Sequence, residues 1–155
     1  MVLSQRRLHL VDEELDQFFR ESQARAARIG AAYVARWQTL ETNTSGGKRL
    51  RPRMIMAVYD ALGGTDYDAA ARVGAAFELV HTAFIVHDDV IAHAFVRRGI
   101  PNGSGRYRDL AQTAGILVAT AEQRGLSVAV IADELALSGA GRLIEHCGAD
   151  EVTHG

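Results

Sequence analysis

FELVHTAFIVHDDVIAHAFVRRGIP, Phe77 to Pro101, decides how the rest of this chain is read. It opens as an apolar helix, meets two adjacent carboxylates at Asp88 and Asp89, and closes on Arg97-Arg98-Gly99. Each residue of an α-helix advances about 100°. His81, Asp88 and position 92 therefore fall within about 20° of one another, with Asp89 about 80° to the side. Acids followed by bases at the end of an apolar helix point to a site for a metal ion and a polyanion.

Outward from this segment the pattern is helical. There are two prolines in 155 residues, few β-branched runs, and abundant Ala, Leu and Arg, all of which favour helix. Leu10 to about Leu40 reads as one long amphipathic helix, or two in series broken at Gly30. Its recurring face is Leu15, Phe18, Phe19, Ser22, Ala26, Ile29, Tyr33 and Trp37, at three- and four-residue steps. Asp12, Glu13 and Glu14 suit its first turn, where acids oppose the positive end of the dipole. Residues 42–47, TNTSGG, form a loop by composition. The next helix carries Pro52 in its first turn and runs through Met54, Ile55, Val58 and Leu62 to a stop at Gly63-Gly64. Thr65 or Asp66 caps the helix that starts near Asp68 and carries the segment quoted above. Residues 96–108 read as a polar connection and Asp109–Arg124 as weakly helical. Leu126–Glu145 reads as a firm helix capped by Ser127 and stopped by Gly148. No stretch alternates as a strand does. The expected class is all-α.

A hydrophobic content of 48% and a charged content of 23% fit one compact domain. The net charge of −2 gives no global attraction for nucleic acid or an anionic membrane, so a polyanion site must be a local cluster. Cys147, the single cysteine, excludes an internal disulfide and reads as an inert thiol in a reducing compartment. No stretch approaches the roughly 18 uninterrupted apolar residues of a membrane span. The residues after Arg6-Arg7 are too acidic for a signal peptide. The expected location is cytoplasmic.

Two clusters carry candidate chemistry. Lys48, Arg49, Arg51 and Arg53 are four bases in six residues, after two glycines and at a helix start. That makes an anion site by charge and by dipole, or else a solvated basic patch. Asp88-Asp89 in an apolar helix is costly unless it faces a cavity or a cation. Mg²⁺ prefers hard oxygen ligands and usually takes one or two carboxylates plus substrate phosphate; the plainer alternative is a solvent-facing pair. His81 stands two turns before Asp88 on the same face. His87 and His93 are rotated well apart and read as surface or core polar residues. Arg97-Arg98 either compensate the helix dipole or, with Lys48 and Arg51, supply charge for more than one phosphorylated ligand.

GGKRLRP at 46–52, ELVHT at 78–82, HDD at 87–89 and RRGIPN at 97–102 occur in this order. With these four segments in register, the chain resembles the first half of a trans-prenyl diphosphate synthase of the polyprenyl synthetase family. The resemblance covers about Leu10 to Leu143. It implies one all-helical domain over 1–155, the N-terminal half of an antiparallel bundle of the isoprenoid synthase type around a deep apolar cavity. By position, it implies that Lys48, Arg51 and His81, with Arg98, hold the diphosphate of isopentenyl diphosphate. Arg97 matches an arginine on the allylic diphosphate. Asp88 and Asp89 match the start of an aspartate-rich motif that binds that diphosphate through Mg²⁺. Ala83 and Phe84 match positions that set product length. Homodimerisation is likewise implied.

The pattern breaks in three places. The motif's third aspartate falls at Ala92, and an often acidic position at Ala94, which implies a weakened metal site, through engineering or degeneration. Asp133-Glu134 stands where the family usually reads Gly-Asp, so a charge occupies the expected place of a close-packing glycine. No second aspartate-rich motif occurs in these 155 residues. The leading expectation is a prenyltransferase-type protein of isoprenoid biosynthesis, inactive or impaired as this chain. The second is a non-catalytic subunit that pairs with itself or modulates a full-length synthase. The third is a helical domain of unrelated role, such as nucleic-acid binding or scaffolding, which the net negative charge and the four motifs oppose.

Overall fold

The computed structural model describes residues 2–147, with side chains from Arg7 onward. Within them the order is α1 (Val2–Ala27), α2 (Ala31–Thr44), α3 (Leu50–Ala61), α4 (Tyr67–Ile91), β1 (Val96–Arg97), β2 (Ile100–Pro101), α5 (Gly103–Thr113) and α6 (Val118–Glu145). The all-α expectation holds; the only sheet among the described residues is one hairpin pairing Val96 with Pro101 and Arg97 with Ile100.

α4 is the axis of the bundle. It packs most extensively on α6, then on α3 and α1. Small residues make that approach possible: Ala71, Ala75, Ala76 and Ala83 of α4 are fully buried, and Ala129, Ala132, Ala136 and Ala140 of α6 nearly so. Where a larger side chain would not fit, glycine stands. A Cβ on Gly74 would meet Val11 of α1 at 3.2 Å and Pro52 of α3 at 3.4 Å. Bulk comes from α1 and α2, where Phe18 packs edge-on against Phe19 and Trp37 at centroid distances of 5.4 and 5.8 Å. Leu40 and Leu79 are fully buried, each worth about 2 kcal/mol of apolar transfer.

By length and composition alone α4 is apolar enough to cross a bilayer, although charged residues interrupt its apolar run. Its apolarity is that of a core helix, since 56% of its most apolar window is buried in the bundle.

Several boundaries differ from expectation. α1 starts at Val2, so Asp12, Glu13 and Glu14 lie in its middle; Asp12 and Glu14 are used for tertiary ion pairs with Arg49 and Arg72. α2 continues through Thr44, where the hydroxyls of Thr39, Thr42 and Thr44 each donate back to the carbonyl four residues earlier. Half of the expected connection at 96–108 is the helix α5. Its Gly-Ser-Gly start is a poor helix former, but Asn102 caps it by accepting from Gly105 N–H at 2.9 Å and α6 packs along it. α6 begins at Val118 rather than Leu126, and Ser127 is inside it, donating to the Gln123 carbonyl. The expected stop at Gly148 lies outside the described residues; the helix ends at Glu145.

α3, α4 and α5 end alike. After each C-cap a residue turns left-handed, namely Gly63, His93 and Gly115 with φ of 76°, 50° and 81°. Its own N–H and that of the residue after it reach back to carbonyls of the last turn, the Schellman arrangement. His93 therefore serves as a helix terminator in a position that usually takes glycine. Arg98 and Gly99, with φ of 53° and 81°, form the two-residue turn of the hairpin, whose backbone twist suits right-twisted strands.

Candidate functional site

The loop between α2 and α3, the second half of α4 and the hairpin meet on one side of the bundle. A cavity of about 520 Å³ lies there, lined by Lys48, Arg51, His81 and Arg98 together with Asn43, Ser45, Glu78 and Thr82. Four of the expected site residues thus share one space. A second cavity of about 270 Å³ adjoins it through Asn43, Ser45, Ile85 and Arg98, and is lined by Asp89, Arg97, Ser104 and Arg106.

The bases are held by local structure. Pro52 is fully buried in the first turn of α3, which anchors that helix under the loop. Gly46 and Gly47 take φ of 81° and 84°, and a Cβ on either would meet nothing within 4 Å. Backbone conformation rather than space calls for glycine there. Among the described residues, Lys48, Arg51 and Arg98 form no ion pair, whereas Arg49 does. Four bases in six residues therefore do not act together: Arg49 turns inward to Asp12, Glu78 and the Thr44 carbonyl, and Arg53 is exposed away from the cavity. On α4, His81 is half-buried; burial and Arg51 hold its pKa below the ordinary 6.5, against an upward pull from Glu78. Its imidazole is neutral at pH 7, flanked by cations.

The two aspartates part company. Asp89 is buried and held by Arg97, whose Nε donates to both carboxylate oxygens at 3.1 Å and whose Nη2 donates to Oδ1 at 2.6 Å. That pairing raises the Arg97 pKa further. Asp88 is exposed and lines neither cavity. Ala92 is the exposed C-cap of α4, one turn beyond Asp88, and Ala94 is half-buried past it. Among the described residues no three His, Cys, Asp or Glu side chains converge as a metal site. Magnesium fits Asp88 as an open oxygen ligand that leaves most positions to phosphate and water. It fits Asp89 only by displacing Arg97. Ala83 is fully buried in the core and Phe84 is exposed, so the two adjacent residues serve different surroundings.

Three residues outside the sequence expectations frame the site. Asn102 donates from Nδ2 to the Ala94 carbonyl at 2.9 Å while capping α5, which closes the base of the hairpin that presents Arg97 and Arg98. Arg108 stacks on Phe95 at 4.6 Å, fixing the strand's entry. Glu78 is buried beside His81. Only the Asn at an expected turn was a usable signal, since Asn both caps and turns.

Asp133 corrects the reading of α6. It is buried, with its Oδ2 2.9 Å from His87 Nδ1, while Glu134 is exposed. Ala132 is the small buried residue ahead of it. The unexpected charge is thus paired with His87, an exposed polar residue as expected. Cys147 is half-buried, its thiol pKa raised by burial, as expected of an inert thiol.

The curated relatives include geranylgeranyl diphosphate synthase of Sulfolobus acidocaldarius, 44% identical over 64 residues, covering 41% of this chain and 19% of that protein. Nonaprenyl diphosphate synthase of Mycobacterium tuberculosis is 34% identical over 110 residues, covering 70% of this chain and 27% of that one. Among solved structures, geranylgeranyl pyrophosphate synthase from Corynebacterium glutamicum, complexed with isoprenyl diphosphate and magnesium, superposes with a TM-score of 0.80 at 25% identity. That superposition takes in 92% of this chain and 41% of that one. The chain thus spans less than half the length of these relatives. Residues 37–132 match the family model for polyprenyl synthetase, more than half of the 155 residues, and the chain belongs to the polyprenyl synthetase family.

Proposed function

We propose that this chain provides the diphosphate-binding half of a trans-prenyl diphosphate synthase. The observation that carries the reading is the convergence of Lys48, Arg51, His81 and Arg98 on one cavity of about 520 Å³. Three unpaired cations and a neutral imidazole are matched to a diphosphate, since charge-assisted bonds to phosphate are the strong ones. The substrate class is isopentenyl diphosphate in that cavity and an allylic prenyl diphosphate in the adjoining one, beside Arg97 and Asp89. Asp88 would hold magnesium, joined by Asp89 if Arg97 turned to phosphate, and the metal would supply neutralisation of charge on the departing diphosphate. The chain's own part is positioning: Lys48, Arg51 and Arg98 fix one diphosphate, and Arg97 meets the other. In the intact reaction the allylic carbon–oxygen bond breaks, the isopentenyl double bond forms the new carbon–carbon bond, and a proton leaves. With alanine at 92 and 94 the metal site is weakened, so this chain alone binds diphosphate without condensing substrates. The reducing cytoplasm suits its free thiol.

The test is calorimetric titration with isopentenyl diphosphate, alongside an incorporation assay with both substrates and Mg²⁺. Saturable binding, weakened about tenfold in Lys48→Ala and Arg51→Ala, is expected, with no product. Unaltered binding in both variants would discard the reading.

A second reading, a subunit that pairs with itself or with a full-length synthase, has its own support. An open apolar trough of about 580 Å³ is walled by Met54, Val58, Leu62 and Phe77, with Leu62 at 82% and Met54 at 68% exposure. Exposed apolar surface of this kind marks contact with another polypeptide. Native mass measurement alone and with a full-length synthase distinguishes the two; a monomer under both conditions removes the second.

A further inference from the structure

Arg49 sits between two residues of the proposed diphosphate site yet spends its own charge elsewhere. Its Nε donates to Asp12 Oδ1 of α1 at 3.0 Å, and its Nη1 donates to the Thr44 carbonyl at the end of α2 and to Glu78 Oε2 of α4, both at 2.9 Å. The side chain is 13% exposed and that of Glu78 is 10%. Its backbone is left-handed, at φ 47° and ψ 42°, a conformation that costs a non-glycine residue about 1–2 kcal/mol and persists only where the surroundings impose it. With Gly46 and Gly47, three of the four residues from 46 to 49 have positive φ. Among the described residues, no backbone hydrogen bond is donated by Gly46, Gly47 or Lys48. The loop that bears Lys48, and that leads into the turn bearing Arg51, is thus held by one guanidinium reaching three helices.

We propose that Arg49 is a positioning residue, clamping residues 45–49 so that Lys48 and Arg51 face His81 and Arg98 across the cavity. The proposal rests on the reading of that cavity as a diphosphate site. Two consequences of losing the clamp act in the same direction. The loop gains freedom, so binding must order it again. Glu78 loses its partner and becomes a buried carboxylate beside the cavity bases, competing with the anion for them. A lysine at 49 keeps the charge but not the planar fork that reaches several acceptors at once, so charge and positioning are separable.

The full chain is titrated with inorganic diphosphate in magnesium-free buffer, as wild type, Arg49→Lys and Arg49→Gln, and the same proteins are followed by amide hydrogen exchange. The expected result is saturable binding by wild type and a loss of about tenfold in Arg49→Lys, the scale of one charge-assisted hydrogen bond. Exchange at the loop's two bonded ends, Ser45 N–H on the Glu41 carbonyl and Arg53 N–H on the Arg49 carbonyl, quickens while the buried amides of α4 stay protected. Wild-type affinity in Arg49→Lys overturns the proposal. Lost affinity with unchanged loop exchange also overturns it, because Arg49 then touches the anion itself. No saturable binding by wild type refutes the diphosphate reading, and the clamp's role with it. Should the single variants not fold, Glu78→Gln/Arg49→Gln removes both buried charges together, and wild-type affinity in that protein is the overturning result.

Discussion

Arg97 closes over Asp89 as a two-pronged pair, with Nη2 2.6 Å from Oδ1, so that each group's charge is already engaged. The cation expected on one diphosphate and a carboxylate expected on the metal neutralise each other at the mouth of the second cavity. Asp89→Asn releases Arg97, so affinity for inorganic diphosphate without magnesium rises several-fold, within the roughly tenfold of one charged contact. With magnesium the gain disappears, because an oxygen ligand is gone. Arg97→Met strands a buried carboxylate and lowers stability by about 1–3 kcal/mol; the full cost of breaking a buried pair is reduced by the exposure of Arg97. Calorimetry with and without Mg²⁺, and urea unfolding, check both arms. Equal diphosphate affinity in wild type and Asp89→Asn would show the pair to be inert.

His81 makes anion binding pH-dependent. Burial and Arg51 hold its pKa below 6.5, so between its folded value and 6.5 the unfolded chain carries more protons than the folded one. Its contribution to stability is complete above pH 6.5 and is lost as pH falls through the folded value. A bound anion favours the imidazolium and reverses the shift. Sulfate, which does not titrate in this range, therefore binds more tightly at pH 5.5 than at 7.5. His81→Gln removes most of that slope, and an undiminished slope in the variant assigns the effect to another group.

Much of this was legible in the sequence because it depended on periodicity and on turn chemistry. The apolar steps of α1 and α2, the break at Gly30, the stop at Gly63 and the cap at Asp66 all rest on local rules and stand in the structure, except that Ile29, beside the break, is 75% exposed. The motif residues Lys48, Arg51, His81 and Arg98 line one cavity. What was not legible depended on tertiary partners. A run of four bases gave no sign that Arg49 alone turns inward, because its acceptors lie on three other segments. α5 has a weak intrinsic helix signal and exists through Asn102 and α6. Asp133 was read as an intruding charge because its partner, His87, is 46 residues away. Facing of adjacent residues was also missed: Asp88 and Asp89 are neighbours in sequence, but one is exposed and the other buried.

The hairpin that presents the two arginines is packed without slack. A Cβ on Gly105 would run into the Phe95 carbonyl oxygen, and one on Gly125 into the Ser104 carbonyl oxygen. Both obstacles are backbone, so Gly105→Ala and Gly125→Ala each lose about 1–3 kcal/mol through forced shifts. Gly141, also in α6, would meet nothing within 4 Å, so Gly141→Ala stabilises by about 0.5–1 kcal/mol through helix propensity. Urea denaturation of the three variants gives the ordering directly. A Gly125→Ala protein as stable as Gly141→Ala would mean that α5 and α6 are not in this close contact.

Ala92 offers the sharpest test of the metal face. Its N–H bonds to the Asp88 carbonyl at 2.9 Å, and it is exposed, so a carboxylate there stands one turn beyond Asp88 on the same face. Without metal, Ala92→Asp costs about 0.5 kcal/mol, from like charge at one-turn spacing and from an acid at the negative end of the α4 dipole. His93 still turns left-handed after it, so the helix end survives. With Mg²⁺ and diphosphate present, two carboxylates one turn apart reach the same ion, and diphosphate affinity rises about tenfold, the free-energy scale of one added ligand contact. Thermal unfolding should therefore fall slightly in EDTA and rise in magnesium diphosphate, while calorimetry shows the gain only with the metal. An identical gain in both buffers, or none in either, places the metal somewhere other than the face of Asp88 and leaves the cavity bases alone to account for diphosphate binding.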